Sequence, residues 1–153
     1  MKRVEVKLSL PVVAPLLDVV KEVIDGLGGR LAAPNRVEDL DADLRTAWHA
    51  DLLRGQNDDC RRFLALFDRE FFASGTISFD EENAEAVLRA CAAIRLRLRE
   101  RELKGLPDET IEGADPDVDQ LDEAVRKAFL GYVFLATLQE LIIQHLDSAI
   151  LEG

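Results

Sequence analysis

Hydrophobic positions change period several times along the chain. Val4, Val6, Leu8 and Leu10 alternate with polar residues, the two-residue period of a half-buried strand. After Ser9 the period lengthens. Leu16, Val19, Val20, Val23 and Ile24 recur at helical spacing, with Pro11 and Pro15 in or before the first turn and Gly26 onward ending the helix. GGRLAAPNR then reads as a loop. The segment DLDADLRTAWHADLLRG predicts a second helix with Leu40, Leu44, Ala47 and Trp48 turned inward and a stop near Gly55. Asn57 is placed to cap a third helix, in which Cys60, Phe63, Leu64, Phe67 and Phe71 share one face before Gly75 ends it.

Thr76 to Phe79 forms a short extended piece, and a lone strand at the N-terminus would leave its backbone groups unpaired, so residues 4–8 are expected to pair with 76–79. Ser78 followed by Glu81 has the spacing of a capping box for a fourth helix running to about Lys104, with Gly105, Leu106 and Pro107 as its stop. An acidic loop, LPDETIEGAD, leads to Asp115 and Pro116, which open a long last helix. Its run FLGYVFLATL carries no charge but is about half of the ~20 residues a membrane span requires. It therefore reads as a buried central helix, with a homo-oligomer interface as the second use of so apolar a segment. The expected architecture is mainly all-α: a single domain over residues 1–153, a five-helix bundle around the apolar C-terminal helix, with one short two-stranded β pairing.

Composition narrows the function classes. The chain has 153 residues, the size of one domain able to bury roughly 70% of its unfolded surface. A net charge of -11 argues against nucleic acid, whose phosphates need a basic face, and against an anionic membrane. Cys60 and Cys91 both fall within helical patterns and do not read as a disulfide framework, which points to a reducing cytoplasm. Glu5, Lys7 and Ser9 interrupt the apolar start, so no signal peptide is expected.

One basic run stands out in this acidic chain: AIRLRLRERELKG, residues 93–105. On a helix, Val87, Cys91, Ile94 and Leu98 form one apolar stripe, and Leu88, Ala92, Leu96 and Leu103 form a second one well round the cylinder. Arg95 and Arg99 project between the stripes, while Arg89, Arg97 and Lys104 fall on the wet side. A guanidinium in such a seam needs a polar partner, because an unpaired buried charge is costly. Glu140, among the apolar positions of the last helix, and Asp51, beside the Leu44 and Ala47 stripe, are the two acids placed to pair with Arg95. One reading is a structural ion pair that fixes helix register. The other is a pocket or partner groove lined by Arg95, Asp51 and Glu140, in which the planar fork of Arg95 holds a carboxylate ligand.

Metal and cofactor chemistry find no matching motif. Asp115, Asp117 and Asp119 alternate as in a calcium loop, but Gln120 stands at the turn glycine and Arg126 at the bidentate acid. DLDADL fails the same test at Leu44 and Ala50. His49 and His145 lie on different predicted helices without a metal-spaced partner, and GLGGR follows a helix pattern where a phosphate loop would open one. No cofactor is implied.

TISFDEENAEAVLRACAAIRLRLRERELKG resembles the central segment of a family of small bacterial domains of unknown function, best represented in actinobacteria; Ile94, Arg95 and Leu96 match its arginine turn. FLGYVFLATLQELIIQHL is similar to the family's aromatic and Leu-Gln-Glu ending, with Tyr132, Leu138, Gln139 and Glu140 in place. AWHADLLRGQNDDCRRFLALF matches more loosely, Trp48 standing for an aromatic and Asp51 for the acid that follows it. The last helix lacks the family's tryptophans. The resemblance implies a helical fold, no established activity, and genes often found beside the ClpS adaptor of the Clp protease. The expected function is thus a cytoplasmic, non-enzymatic interaction or regulatory module with a protein partner. The alternative is a small anionic-ligand binder or enzyme built around Arg95, with Arg99, Trp48, Tyr132 and Gln139 as further pocket candidates.

Overall fold

The alternating N-terminal run forms strand β1 (Arg3–Lys7), which pairs antiparallel with β2 (Thr76–Asp80). Val4 lies opposite Phe79 and Val6 opposite Ile77, within the expected pairing of residues 4–8 with 76–79, although Leu8 lies beyond the end of β1. Phe79 and Ile77 face the core, while Glu5 and Lys7 face water. Gly75 makes the corner possible. Its φ of 79° ends the preceding helix in the left-handed region, and a Cβ there would stand 2.5 Å from the Leu8 carbonyl oxygen. The Leu8 amide donates to the Gly75 carbonyl at 2.7 Å, which closes the sheet end.

The rest is helical: α1 (Leu10–Leu27), α2 (Ala42–Ala65), α3 (Arg69–Ser74), α4 (Ala84–Glu100), α5 (Asp108–Gly113) and α6 (Glu123–Leu151). This is a computed structural model, and it describes residues 3–32, 41–113 and 121–151. The expected class, mainly all-α with one short β pairing, is the class observed. Leu40 and the predicted start of the last helix at Asp115 and Pro116 lie outside the described residues.

Helix α4 is the centre of the packing, with α2 on one flank, α6 on the other and α1 against both α4 and α6. Val87, Cys91, Ile94 and Leu98 are wholly enclosed, and Ala84, Ala86 and Ala90 keep the approach of the neighbouring helices close. The inner face of α6 is Ala128, Phe129, Tyr132, Leu135, Leu138 and Ile142, a three- and four-residue spacing that buries one stripe. Emptying such a site, as in Leu138→Ala, typically costs 2–5 kcal/mol. Phe67 meets Phe71 edge-on at 5.1 Å between centroids and Phe63 at a tilt of 58° and 5.3 Å, on the face predicted from their spacing.

Several boundaries differ from the sequence reading. Helix α2 runs unbroken through Gly55, and the chain breaks instead at Leu66 to Asp68, where the Asp68 side chain accepts from the Phe71 amide and caps α3. Asn57 caps no helix start; it donates to the Gly28 carbonyl, while Gln56 accepts from the Ala32 amide and donates to the Leu27 and Arg30 carbonyls. These two amides fasten the end of α1 to α2. The start of α4 uses Asp80 and Asn83 in place of Ser78 and Glu81: the Asp80 carboxylate accepts from the Asn83 amide, and the Asn83 side chain accepts from the Asp80 amide. The reciprocal logic of a capping box holds, two residues later. Helix α4 ends at Glu100, after which Leu103 folds back into the core, its amide donating to the Leu98 carbonyl. Among the described residues no helix is long and apolar enough to cross a membrane.

Candidate functional site

Arg95 leaves α4 toward α6 and meets neutral groups. Its Nη1 donates to Oε1 of Gln139 at 2.6 Å, its Nη2 donates to the Tyr132 hydroxyl at 3.0 Å, and its guanidinium carbon stands 4.5 Å from the Tyr132 ring centroid. Gln139 completes the link by donating from Nε2 to the Leu88 carbonyl of α4 at 3.1 Å. The Arg95 Nε is enclosed without an acceptor. Of five guanidinium N–H groups, two are thus engaged by α6.

Helical geometry explains why Gln139 takes the place predicted for Glu140. Tyr132 and Gln139 are seven residues apart and share a face of α6, whereas Glu140 is turned roughly 100° further round. Glu140 is exposed and accepts from Gln144 Nε2 at 2.9 Å. It nevertheless belongs to the same place, because Arg95, Tyr132, Thr137 and Glu140 form the polar lining of one cavity of about 300 Å³. Ile111, Val133, Ala136 and Leu141 form its apolar wall.

Asp51 does not join them. It lies on α2, exposed, and pairs with Arg54 at 3.1 Å one turn along the same helix. Trp48 is 55% exposed and Leu44 48%, and Ala47 is exposed with them, where the sequence pattern turned all three inward; residues 41–48 are exposed throughout. Arg99 sits half-buried on α4, one turn beyond Arg95. Of the predicted site residues, the fold brings together Arg95, Tyr132, Gln139 and Glu140, and separates Asp51 and Trp48.

Those four are also residues on which the family resemblance rests. A family model described as a domain of unknown function, DUF2017, matches residues 13–146. The chain belongs to the DUF2017 family. No curated protein and no solved structure matches it.

An ion pair with a buried carboxylate lies elsewhere in this DUF2017 chain, between α2 and α4. Arg89 holds Asp59 with two bonds, Nε to Oδ2 at 2.9 Å and Nη2 to Oδ1 at 3.0 Å. Asp59 is buried and Arg89 is largely exposed. The hydrogen bond from Arg89 to Asp59 is the main reason the Arg89 pKa is raised further. Arg89, assigned to the wet side by its position on α4, therefore works as a structural cation. Nothing in the local sequence sets Asp59 apart, because its partner lies thirty residues away.

Above this pair α2 and α4 bound a groove of about 380 Å³ with Leu31, Ala32, Leu52 and Leu96 in its walls. Leu44, Trp48, Leu52, Gly55 and Asp59 follow one another at three- and four-residue steps on α2, so the exposed apolar pair continues the groove. Both thiols are enclosed. Burial, with the Asp59 charge second, pushes Cys60 up to about 11, and burial pushes Cys91 up to about 12 against the lowering effect of Arg95. Among the described residues no cluster of three His, Cys, Asp or Glu side chains is arranged to hold a metal ion.

Proposed function

We propose that this protein is a non-enzymatic interaction module in which the first half of α2 docks a segment of a protein partner. One observation carries the reading: Leu44 and Trp48 stand exposed on the helix face that runs into the apolar α2–α4 groove. Exposed aromatic and aliphatic anchors beside a groove suit an apolar-faced helix. Asp41 and Asp43 open this half of α2, but Arg45 lies among the acids and Asp51 is paired with Arg54, so it is the net charge of -11 on the whole chain that favours a basic segment. The two thiols, the strongest nucleophiles available, are buried and fully protonated at neutral pH, which favours a role without covalent chemistry. The ClpS neighbourhood implied by the resemblance directs the search for the partner to protein turnover. The test is affinity capture with the wild-type chain and with Trp48→Ser: a protein retained by the first and lost with the second supports the reading, and an identical set with both overturns it.

A second reading is favoured by Arg95 itself. It is a permanent cation whose described partners are all neutral, at the wall of a cavity, which suits a small-ligand site between α4 and α6.

A further inference from the structure

Resting on that second reading, we infer that the α4–α6 cavity takes a free α-amino acid with an aliphatic side chain, held as a zwitterion between Arg95 and Glu140. The cavity has two charged groups of opposite sign in its lining. Each is engaged by neutral neighbours, Arg95 by Gln139 and Tyr132, Glu140 by Gln144, and among the described residues no ion pair joins them. A ligand that satisfies both must present an anion to one side and a cation to the other.

The chemistry of the lining narrows the ligand further. Arg95 keeps one N–H on each terminal nitrogen beyond those given to α6, and a carboxylate accepts from such a pair with two oxygens. Gln139 and the Tyr132 ring hold the guanidinium plane in place, so the fork is ordered before a ligand arrives. A carboxylate alone would meet the Glu140 charge across the same space, and an ammonium beside it turns that repulsion into attraction. Ile111, Val133, Ala136 and Leu141 offer only hydrocarbon to the remainder, and about 300 Å³ is at the small end of ligand cavities. A dicarboxylate or a phosphate ester would bring a second negative charge toward Glu140.

Calorimetric titration of the full chain with L-leucine, 4-methylpentanoate, which lacks the ammonium, and 3-methylbutylamine, which lacks the carboxylate, tests this. Leucine should bind at least ten-fold more tightly than either. Glu140→Gln, a change at an exposed position, should weaken leucine at least ten-fold while leaving 4-methylpentanoate unchanged or tighter. Glycyl-leucine, in which the ammonium is displaced from the carboxylate, should bind at least ten-fold more weakly than leucine; equal binding would indicate a peptide C-terminus and overturn the free amino acid. Equal affinity for leucine and 4-methylpentanoate would keep the ligand cavity and overturn the zwitterion. No heat and no chemical-shift change with any of them at millimolar concentration would overturn the cavity reading itself.

Discussion

Arg95 on α4 donates to Gln139 on α6 at 2.6 Å, and Gln139 returns a bond to the Leu88 carbonyl of α4 at 3.1 Å. One amide thus serves both helices. Arg95→Ala removes this bond, the Tyr132 hydrogen bond and the cation–π contact, and is expected to cost about 1–3 kcal/mol. Because Arg95 and Gln139 share the interaction, the double variant Arg95→Ala with Gln139→Ala should be less destabilised than the sum of the singles, by about 0.5–1.5 kcal/mol. Urea unfolding of the four proteins measures the difference.

The Asp59–Arg89 pair predicts an asymmetry. Removing Arg89 strands a buried carboxylate, while removing Asp59 frees a cation that is already largely in water. Arg89→Ala should therefore cost about 1–3 kcal/mol and Asp59→Ala about 1 kcal/mol or less beyond its lost packing. Equal losses in thermal or urea unfolding would contradict this account of the pair.

Much of the fold was legible because apolar spacing is a direct signature of burial. Val87, Cys91, Ile94 and Leu98 share one predicted stripe and are wholly enclosed, and the pairing of the N-terminal strand with Thr76 onward follows from the backbone groups that a lone strand would leave unpaired. What the pattern concealed were contacts between elements distant in sequence. Nothing local distinguishes Arg89 from any exposed arginine until Asp59 arrives from α2, thirty residues away. Asn57 looked like a cap because its type favours caps, yet tertiary contact gave it to the Gly28 carbonyl. Leu44 and Trp48 have core spacing without a core to enter. For the site, the seam position of Arg95 was readable, but the choice between Gln139 and Glu140 depended on a rotation of one residue about α6.

Gly75→Ala should be among the most damaging single changes in the loops. It places a side chain at φ 79° and drives a Cβ to within 2.5 Å of the Leu8 carbonyl oxygen, which is backbone already tied into the sheet end. The expected loss is about 2–3 kcal/mol, combining left-handed strain with displacement of β1. Gly55→Ala, where a Cβ meets open space on a helix, should instead stabilise by about 0.5–1 kcal/mol.

The thiols predict an alkaline weakness. Cys60 and Cys91 stay protonated in the folded chain up to about 11 and about 12, whereas in the unfolded chain they ionise from about 9. Above pH 9 the unfolded state binds fewer protons than the native state, so stability falls as pH rises, for Cys91 by about 1.4 kcal/mol per pH unit until its folded value is reached. Below pH 9 these groups contribute no pH dependence. Unfolding midpoints from pH 7 to 10.5 should be flatter in Cys91→Ala than in the wild type, and thiol reagents at pH 8 should label both cysteines only on unfolding.

The interaction reading depends on α2, and the most direct measurement places a photo-crosslinking amino acid at Trp48 and, as a control, at the exposed Lys104, followed by irradiation in cell extract and mass spectrometry. The account predicts one dominant adduct from position 48, mapped to a basic, apolar-faced helix of a single protein and missing from position 104. The same adducts from both positions, or none from position 48, would contradict it.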